Sequence, residues 1–162
     1  MILPRYRIAP SAIRGAGQGL FLGEAVPAGR IITAPDAIDR TWRHAEIAAD
    51  PALAAQMHAA ARWFEDHYTL SPDWPDECYI NHSFRPTGLW HLGFVFALDD
   101  LPADTEITVD YRHLLPPGQA EDFDDAVSGE RIVGLPWAES LATTTRALAA
   151  LLDGRRPLAE PT

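Results

Sequence analysis

The sequence predicts an α+β fold that is mainly β, with a helical insert and a C-terminal helix, in one domain. Residues 1–34 and 78–111 have the composition of short β-strands separated by turns rich in glycine and proline. An alanine-rich stretch lies between them, and a second helical pattern follows near the C-terminus. The 162 residues contain no repeat and no low-complexity linker, and a chain of this length can bury one hydrophobic core.

The first half of the chain divides into strands and an insert. Strands are predicted at residues 6–8, 19–22 and 30–33. Residues 42–76 are predicted to be a helical insert, in which Asp50 caps a helix that begins at Pro51, because the proline ring already has a helical φ. Apolar residues then recur every three or four positions and predict that this helix reaches residue 68, with one stripe formed by Leu53, Met57, Ala60, Phe64 and Tyr68.

The second half returns to β texture and ends in a helix. Residues 90–98 are an apolar run, and residues 106–111 alternate as a strand that ends at Tyr111. An acidic segment containing Phe123 follows the sequence Pro-Pro-Gly at 116–118. The last helix is predicted from Pro136 through Leu152, where Asp153 and Gly154 end it, and residues 155–162 are predicted to be a flexible tail. Its apolar side consists of Trp137, Leu141, Leu148 and Leu151.

Composition narrows the classes of partner. Lys and Arg number 13 and Asp and Glu 23, which gives a formal charge of −10. Such a surface repels nucleic acid and favours a basic partner such as a lysine-rich peptide, although plain solubility is an equally physical explanation. Cys78 is the single cysteine, so neither an intrachain disulfide nor a cysteine-built zinc site is expected, and no histidine pair has a metal-ligand spacing. The absence of a signal-like start and of long apolar runs predicts a cytoplasmic protein without membrane contact.

Three short segments carry the functional signal, and each is weak alone. The turn at residues 15–19, Gly-Ala-Gly-Gln-Gly, is either a tight turn between strands or a place where the main chain approaches a polar ligand. Asn81-His82-Ser83 follows an apolar pair and can simply tie down a loop. Residues 104–111 end at Tyr111, and a tyrosine at a strand end usually packs.

Taken together and in this order, the segments resemble the SET domain family. The resemblance covers residues 8–113, with 42–76 as the variable insert. It implies a β-clip fold of several short sheets with a threaded C-terminal pseudoknot, a SET domain over residues 1–116 and a post-SET-like segment, residues 117–154, packed on it. The activity implied is transfer of a methyl group from S-adenosylmethionine to a lysine ε-amine of a protein or peptide.

The resemblance also implies roles for individual residues. The main chain of Ala16, Gly17 and Gln18 holds the methionine end of S-adenosylmethionine, and Gly19 shapes the turn. Asn81 and His82 hold the amino group and the adenine of the cofactor, and Tyr111 lies beside the transferred methyl group.

Aromatic residues are the candidates for the lysine channel. Trp90 and Val109 match positions of a SET subgroup in which a pocket aromatic influences how many methyl groups are added, and for Trp90 the alternative is a buried core tryptophan. Many relatives close the channel with a three-cysteine zinc cluster, which one cysteine cannot build. Phe123 for the channel and Trp137 for the cofactor are the aromatics available in its place, and core packing is the alternative for both.

The chain departs from the usual family motif at Cys78-Tyr79, at Phe84 and at Thr87. Three functions therefore stay open at this stage. The chain is an active methyltransferase, a catalytically silent SET-fold module that binds cofactor or peptide, or a small β-rich structural domain whose motifs match by accident. The sequence makes no prediction of the oligomeric state.

Overall fold

A computed structural model describes residues 1–35, 40–71 and 73–154, so the predicted tail at 155–162 lies outside the described residues. The strands, in chain order, are β1 (Tyr6–Pro10), β2 (Gln18–Leu22), β3 (Ile31–Thr33), β4 (Trp42–Arg43), β5 (Ala61–Phe64), β6 (His67–Thr69), β7 (Asn81–His82), β8 (Gly88–His91), β9 (Phe94–Ala97), β10 (Thr108–Val109), β11 (Ala120–Asp124) and β12 (Arg131–Val133). The helices are α1 (His44–Ala49), α2 (Pro51–Ala54) and α3 (Trp137–Asp153). Short 3₁₀ turns occupy Met57–Ala59, Asp76–Tyr79 and Tyr111–His113.

The described strands form small sheets around one core, as the α+β prediction required. β1 pairs with β2, β3–β9–β8 and β4–β6–β5 form antiparallel sheets, and β11 pairs with β12. The apolar run at 90–98 is a hairpin rather than one strand, because Leu92 and Gly93 take positive φ and reverse the chain. The core includes Leu20 and Leu22 of β2, Ile32 of β3 and Val95 of β9, together with Ile107, which precedes β10.

One segment links the N-terminal hairpin to the middle of the chain. Residues 105–109 lie along β2, where Leu22 N donates to Thr105 O at 2.9 Å and Ile107 N donates to Leu20 O at 2.8 Å. The same segment continues as β10, which pairs in parallel with β7. The motifs near residues 18, 81 and 108 therefore lie side by side. The threaded pseudoknot and the domain boundary at residue 116 stay predictions.

The long helix predicted within the 42–76 insert is wrong beyond Ala54. Asp50 does cap α2 by accepting from Ala52 N at 2.8 Å, and Pro51 is the first helical residue. The helix ends at Ala54, however, and the chain forms the β5–β6 hairpin with a turn at Glu65, whose φ is 47°. α2 buries none of its residues, so packing does not extend it, whereas the hairpin buries Tyr68 and Arg62.

The C-terminal helix is confirmed, but its buried face is polar. α3 begins after Pro136 and ends at Gly154, close to the predicted limits. Its fully buried residues are Ser140 and Thr144, while the predicted apolar side is only partly covered. The β11–β12 hairpin in the acidic segment was not predicted, because β11 is mostly exposed and lacks apolar alternation. In the described part of the chain, no helix combines the length and the apolar character that a bilayer crossing requires.

Candidate functional site

The side-chain amide of Asn81 joins the middle motif to the N-terminal hairpin. Its Nδ2 donates to Gln18 O at 2.9 Å and to Glu106 Oε1 at 3.0 Å. Both partners are acceptors, so the orientation of the amide is unambiguous and both of its hydrogens are engaged. The side-chain oxygen of Asn81, Oδ1, has no hydrogen-bond partner within the described ranges and is available as an acceptor.

Glu106 fixes this arrangement from the last motif. Its carboxylate accepts from Ser11 Oγ at 2.6 Å and from Ala12 N at 3.0 Å, besides Asn81. Gly19 leaves the room that this contact needs, since a Cβ there would clash with Glu106 Oε1 and lie 3.3 Å from Asn81 Nδ2. Glu106 begins the strand predicted at residues 106–111, but the sequence predicts no role for its side chain.

The glycine turn presents main-chain groups next to Asn81. Gly15 and Gly17 have φ of 87° and 76°, a region that glycine adopts without strain. Ala16 N donates to Ile13 O at 3.2 Å and Gly17 O accepts from Ser11 N at 2.9 Å. Across the residues described, Gly17 N and Ala16 O have no hydrogen-bond partner, so these two groups can reach a ligand.

Tyr111 begins a 3₁₀ turn instead of ending a strand, because β10 stops at Val109 and Asp110 accepts from Arg112 N at 3.0 Å. The phenol donates to Ile80 O at 2.7 Å. Burial, with smaller contributions from Glu121 and Cys78, raises the pKa of Tyr111 far above its ordinary value. The hydroxyl is therefore protonated at neutral pH and its oxygen can still accept a hydrogen bond.

His82 is used inside the protein. Its Nδ1 accepts from Tyr111 N at 3.1 Å, so the neutral ring carries its hydrogen on Nε2. Burial lowers the pKa of His82, in spite of opposing contributions from Asp110 and Asp125, which keeps the ring neutral. The ring is thus committed to Tyr111 through Nδ1, and the predicted role of His82 toward the adenine stays a prediction.

The acidic hairpin contributes an aromatic cover to this site. The ring of Phe123 lies edge-on to that of Tyr111, with centroids 6.5 Å apart, and Phe123 is 46% exposed. On the same strand, the half-buried Glu121 has a pKa that burial and Asp122 raise. Asp125 follows the strand and is buried beside His82. No pattern in the sequence predicts a role for Glu121 or Asp125.

Three other predicted site residues, Val109, Trp90 and Trp137, make packing contacts in the described structure. Val109 is buried in the main core, and Trp90 packs against that core from β8. Trp137 lies against the guanidinium of Arg62, with 5.9 Å between Arg62 Cζ and the ring centroid. No ring contact joins Trp137 or Trp90 to Tyr111 among the residues described, so the roles of Val109, Trp90 and Trp137 stay predictions.

Two surface depressions lie elsewhere. One of about 350 Å³ is lined by Thr41, Trp63, Phe64 and Leu92. Another of about 560 Å³ lies beside β3 and the turn before it. Neither includes Asn81, His82 or Tyr111, and neither contains a cluster of groups suited to catalysis.

Comparison with known proteins identifies a family. The family model described as SET domain matches residues 17–112, which is more than half of the chain. The match includes Gln18, Asn81, Glu106 and Tyr111, and it ends before Phe123. No curated protein matches the chain.

Proposed function

The chain belongs to the SET domain family, which has methyltransferase-type function, and we propose that it transfers a methyl group from S-adenosylmethionine to a lysine ε-amine of a protein substrate. The observation that carries this proposal is that the side-chain oxygen of Asn81, Oδ1, has no hydrogen-bond partner among the described residues. Asn81 belongs to β7, which pairs with β10, the strand that leads to Tyr111. Its side-chain amide donates to Gln18 O, beside the glycine turn.

Asn81 and the glycine turn suit the methionine end of the donor. An α-ammonium needs acceptors, and Asn81 Oδ1 and Ala16 O are acceptors without a hydrogen-bond partner in the described residues. An α-carboxylate needs donors, and Gly17 N is one. When bound, S-adenosylmethionine supplies a methyl group on a positively charged sulfur.

Tyr111 suits the amine that accepts the methyl group. A free lysine has a pKa of about 10.4, so its neutral form costs about 4 to 5 kcal/mol at pH 7. Burial among apolar groups lowers that cost, because it disfavours the ammonium. Because Tyr111 donates its hydroxyl hydrogen to Ile80 O, the lone pairs of the phenol oxygen are available to accept a hydrogen bond from the incoming N–H group. That hydrogen bond orients the amine. Because burial raises the pKa of Tyr111, its phenolate is scarcely populated at neutral pH and the protonated hydroxyl does not serve as the base, so water takes the proton.

Phe123 and the charge of the chain suit a basic peptide. Phe123 extends the apolar wall beyond Tyr111, where the aliphatic part of a lysine would lie. A formal charge of −10 attracts substrates in which the lysine has basic neighbours. We therefore propose a lysine-containing, basic protein segment as the partner.

Replacing Tyr111 with Phe tests the assignment. The protein is incubated with methyl-labelled S-adenosylmethionine and a whole-cell protein extract, and labelled lysines are identified by mass spectrometry. Tyr111→Phe should lower the rate of transfer by about 100-fold or more, because it removes the oxygen that orients the amine. Its affinity for the donor, measured by calorimetry, should stay near that of the unmodified protein.

Tyr68→Phe is the matched control. Tyr68 is a buried tyrosine whose pKa burial raises to about 12, and it belongs to the β5–β6 hairpin, where its ring contacts His44 and, among the described residues, neither Asn81 nor Tyr111. Its hydroxyl has no hydrogen-bond partner, so the change should leave transfer intact. Full activity of Tyr111→Phe would reject the role of the hydroxyl. Donor binding without any labelled lysine would favour the silent binding module, and no donor binding would favour a structural domain.

A further inference from the structure

We propose that Asp125 is a positioning residue for Tyr111 that acts through His82, an inference that rests on the proposed function. Asp125 lies in the turn of the β11–β12 hairpin, outside the matched residues 17–112. His82 stands between it and Tyr111, since one ring nitrogen approaches Asp125 and the other accepts from Tyr111 N. The C-terminal hairpin is thereby coupled to the residue that faces the substrate.

The carboxylate of Asp125 is held rigidly. Its Oδ2 accepts from Val127 N at 3.1 Å and Ser128 N at 2.6 Å, and its Oδ1 accepts from Phe84 N at 3.3 Å. Burial raises the pKa of Asp125, and the hydrogen bonds from Ser128, Phe84 and Val127 outweigh that effect, so the group stays ionised. A fixed anion therefore lies beside the Asn-His segment.

The position of this anion selects the state of the His82 ring. His82 Nε2 lies 3.6 Å from Asp125 Oδ1, and the two side chains are 3% and 4% exposed. Nε2 has no hydrogen-bond partner in the described ranges, so the carboxylate is the group that stabilises a hydrogen there. With the hydrogen on Nε2, Nδ1 is left as the acceptor that Tyr111 N requires.

The alternative form of the ring would loosen Tyr111. If the hydrogen moved to Nδ1, it would point at the N–H of Tyr111, and two donors would face each other. Tyr111 N would then be a part-buried donor without an acceptor, and the start of its 3₁₀ turn would shift. Displacements of about 1 Å at a reacting group can cost about 100-fold in rate.

Asp125→Asn tests this chain of contacts. Its amide oxygen can serve the two donors Val127 N and Ser128 N, which turns the NH₂ group toward Phe84 N and His82 Nε2. His82 can accept from that group only by moving its hydrogen to Nδ1. We expect ¹⁵N NMR to report the hydrogen on Nε2 in the unmodified protein and on Nδ1 in the variant. We also expect kcat to fall about tenfold or more while donor affinity changes less than about threefold.

Asp124→Asn is the control, because Asp124 is the adjacent, exposed aspartate and its charge loss is identical. It should leave both kcat and the His82 signals unchanged. If Asp125→Asn retains Nε2–H and normal kcat, the proposal fails while the methyltransferase assignment stands. If the variant does not fold, the unmodified protein still decides, since a hydrogen on its His82 Nδ1 would overturn the proposal. Absence of transfer by the unmodified protein would instead reject the proposed function.

Discussion

Two polar networks of buried and half-buried residues meet at the 3₁₀ turn Tyr111–His113, and they differ in whether their buried side-chain atoms are paired. We call Asn81, His82, Glu106 and Tyr111 the site network. We call the second the helix network, and it consists of Arg62, His91, His113, Ser140 and Thr144. Both are built from short hydrogen bonds between distant parts of the chain.

The helix network is closed in the sense that its buried side-chain atoms are all paired. Arg62, which is 0% exposed, donates to His113 O at 3.3 and 3.2 Å and to Leu135 O at 2.9 Å. His113 Nδ1 lies 2.9 Å from Ser140 Oγ, which fastens α3 to the 3₁₀ turn after Tyr111. Within the described residues, no buried side-chain atom of this network lacks a partner.

The site network is open by contrast. Asn81 Oδ1 has no hydrogen-bond partner among the described residues, and His82 Nε2 has only the nearby charge of Asp125. A closed network stabilises the contact between elements, whereas an open one leaves acceptors for a ligand. The difference teaches that burial and polarity alone do not identify a site. An unpaired atom does so only with suitable neighbours: Asn81 Oδ1 lies next to the glycine turn, whereas the unpaired Tyr68 hydroxyl and His67 Nδ1 lie in the β5–β6 hairpin.

Arg62→Met should have the largest effect on stability and should leave the site intact. It removes the donors of two buried carbonyl groups, His113 O and Leu135 O, so the free energy of unfolding should fall by about 2 to 3 kcal/mol. Urea unfolding measures the loss, with Arg146→Met on the exposed face of α3 as the control. Donor affinity of the folded protein should be unchanged. A variant that keeps its stability but loses donor binding would reverse the assignment of the two networks.

Gly19→Ala should have the opposite pattern and a smaller magnitude. The new methyl group displaces Glu106 and with it Asn81, so donor affinity should fall about tenfold, equivalent to about 1.4 kcal/mol. Calorimetry with S-adenosylmethionine measures this change. Gly154→Ala is the control, because its Cβ would make only ordinary contacts at 3.6 Å or more. Equal affinities of the two variants would show that Glu106 does not orient Asn81.

Acidification should lower the free energy of unfolding through both networks, and its effect per residue should be the smallest of the three perturbations. Burial lowers the pKa of His82 in one network and of His113 in the other. Each folded-state pKa is below the unfolded value of about 6.5, so each contribution to stability is present above pH 6.5 and is lost as the pH falls toward the folded pKa. At pH 6 each costs less than about 1 kcal/mol. Urea unfolding at pH 7.5 and pH 6 checks this, and equal stability at both would contradict it.

The sequence predicts the parts of the molecule that short motifs determine. The strands at 6–8 and 19–22, the start of α2 at Pro51 and the end of α3 near Gly154 follow from turn residues and caps, and the structure confirms them. The same signals misled in the insert. There the spacing of Phe64 and Tyr68 fits a helix, but a hairpin that buries Tyr68 and pairs the buried Arg62 with the carbonyls of His113 and Leu135 decides the structure.

The site was predictable only in outline. The motif residues Asn81 and Tyr111 were found, and they lie in adjoining segments, as β7 pairs with β10. The function of Glu106 was not predictable, because its partner Ser11 is 95 positions away in the chain. Asp125 belongs to an exposed acidic hairpin whose sequence has no distinguishing pattern, and its contact with His82 exists only in three dimensions.

Titration of the ¹⁵N-labelled protein with S-adenosylmethionine tests the central claim most directly. The account predicts saturable shifts of the Gly17 amide, of the Asn81 side-chain amide and of the Tyr111 amide. The amide of Leu92, at the depression lined by Trp63 and Phe64, should stay in place. Shifts confined to Leu92 and its neighbours, or no shifts at millimolar donor, would contradict the claim that Asn81 and the glycine turn bind the methyl donor.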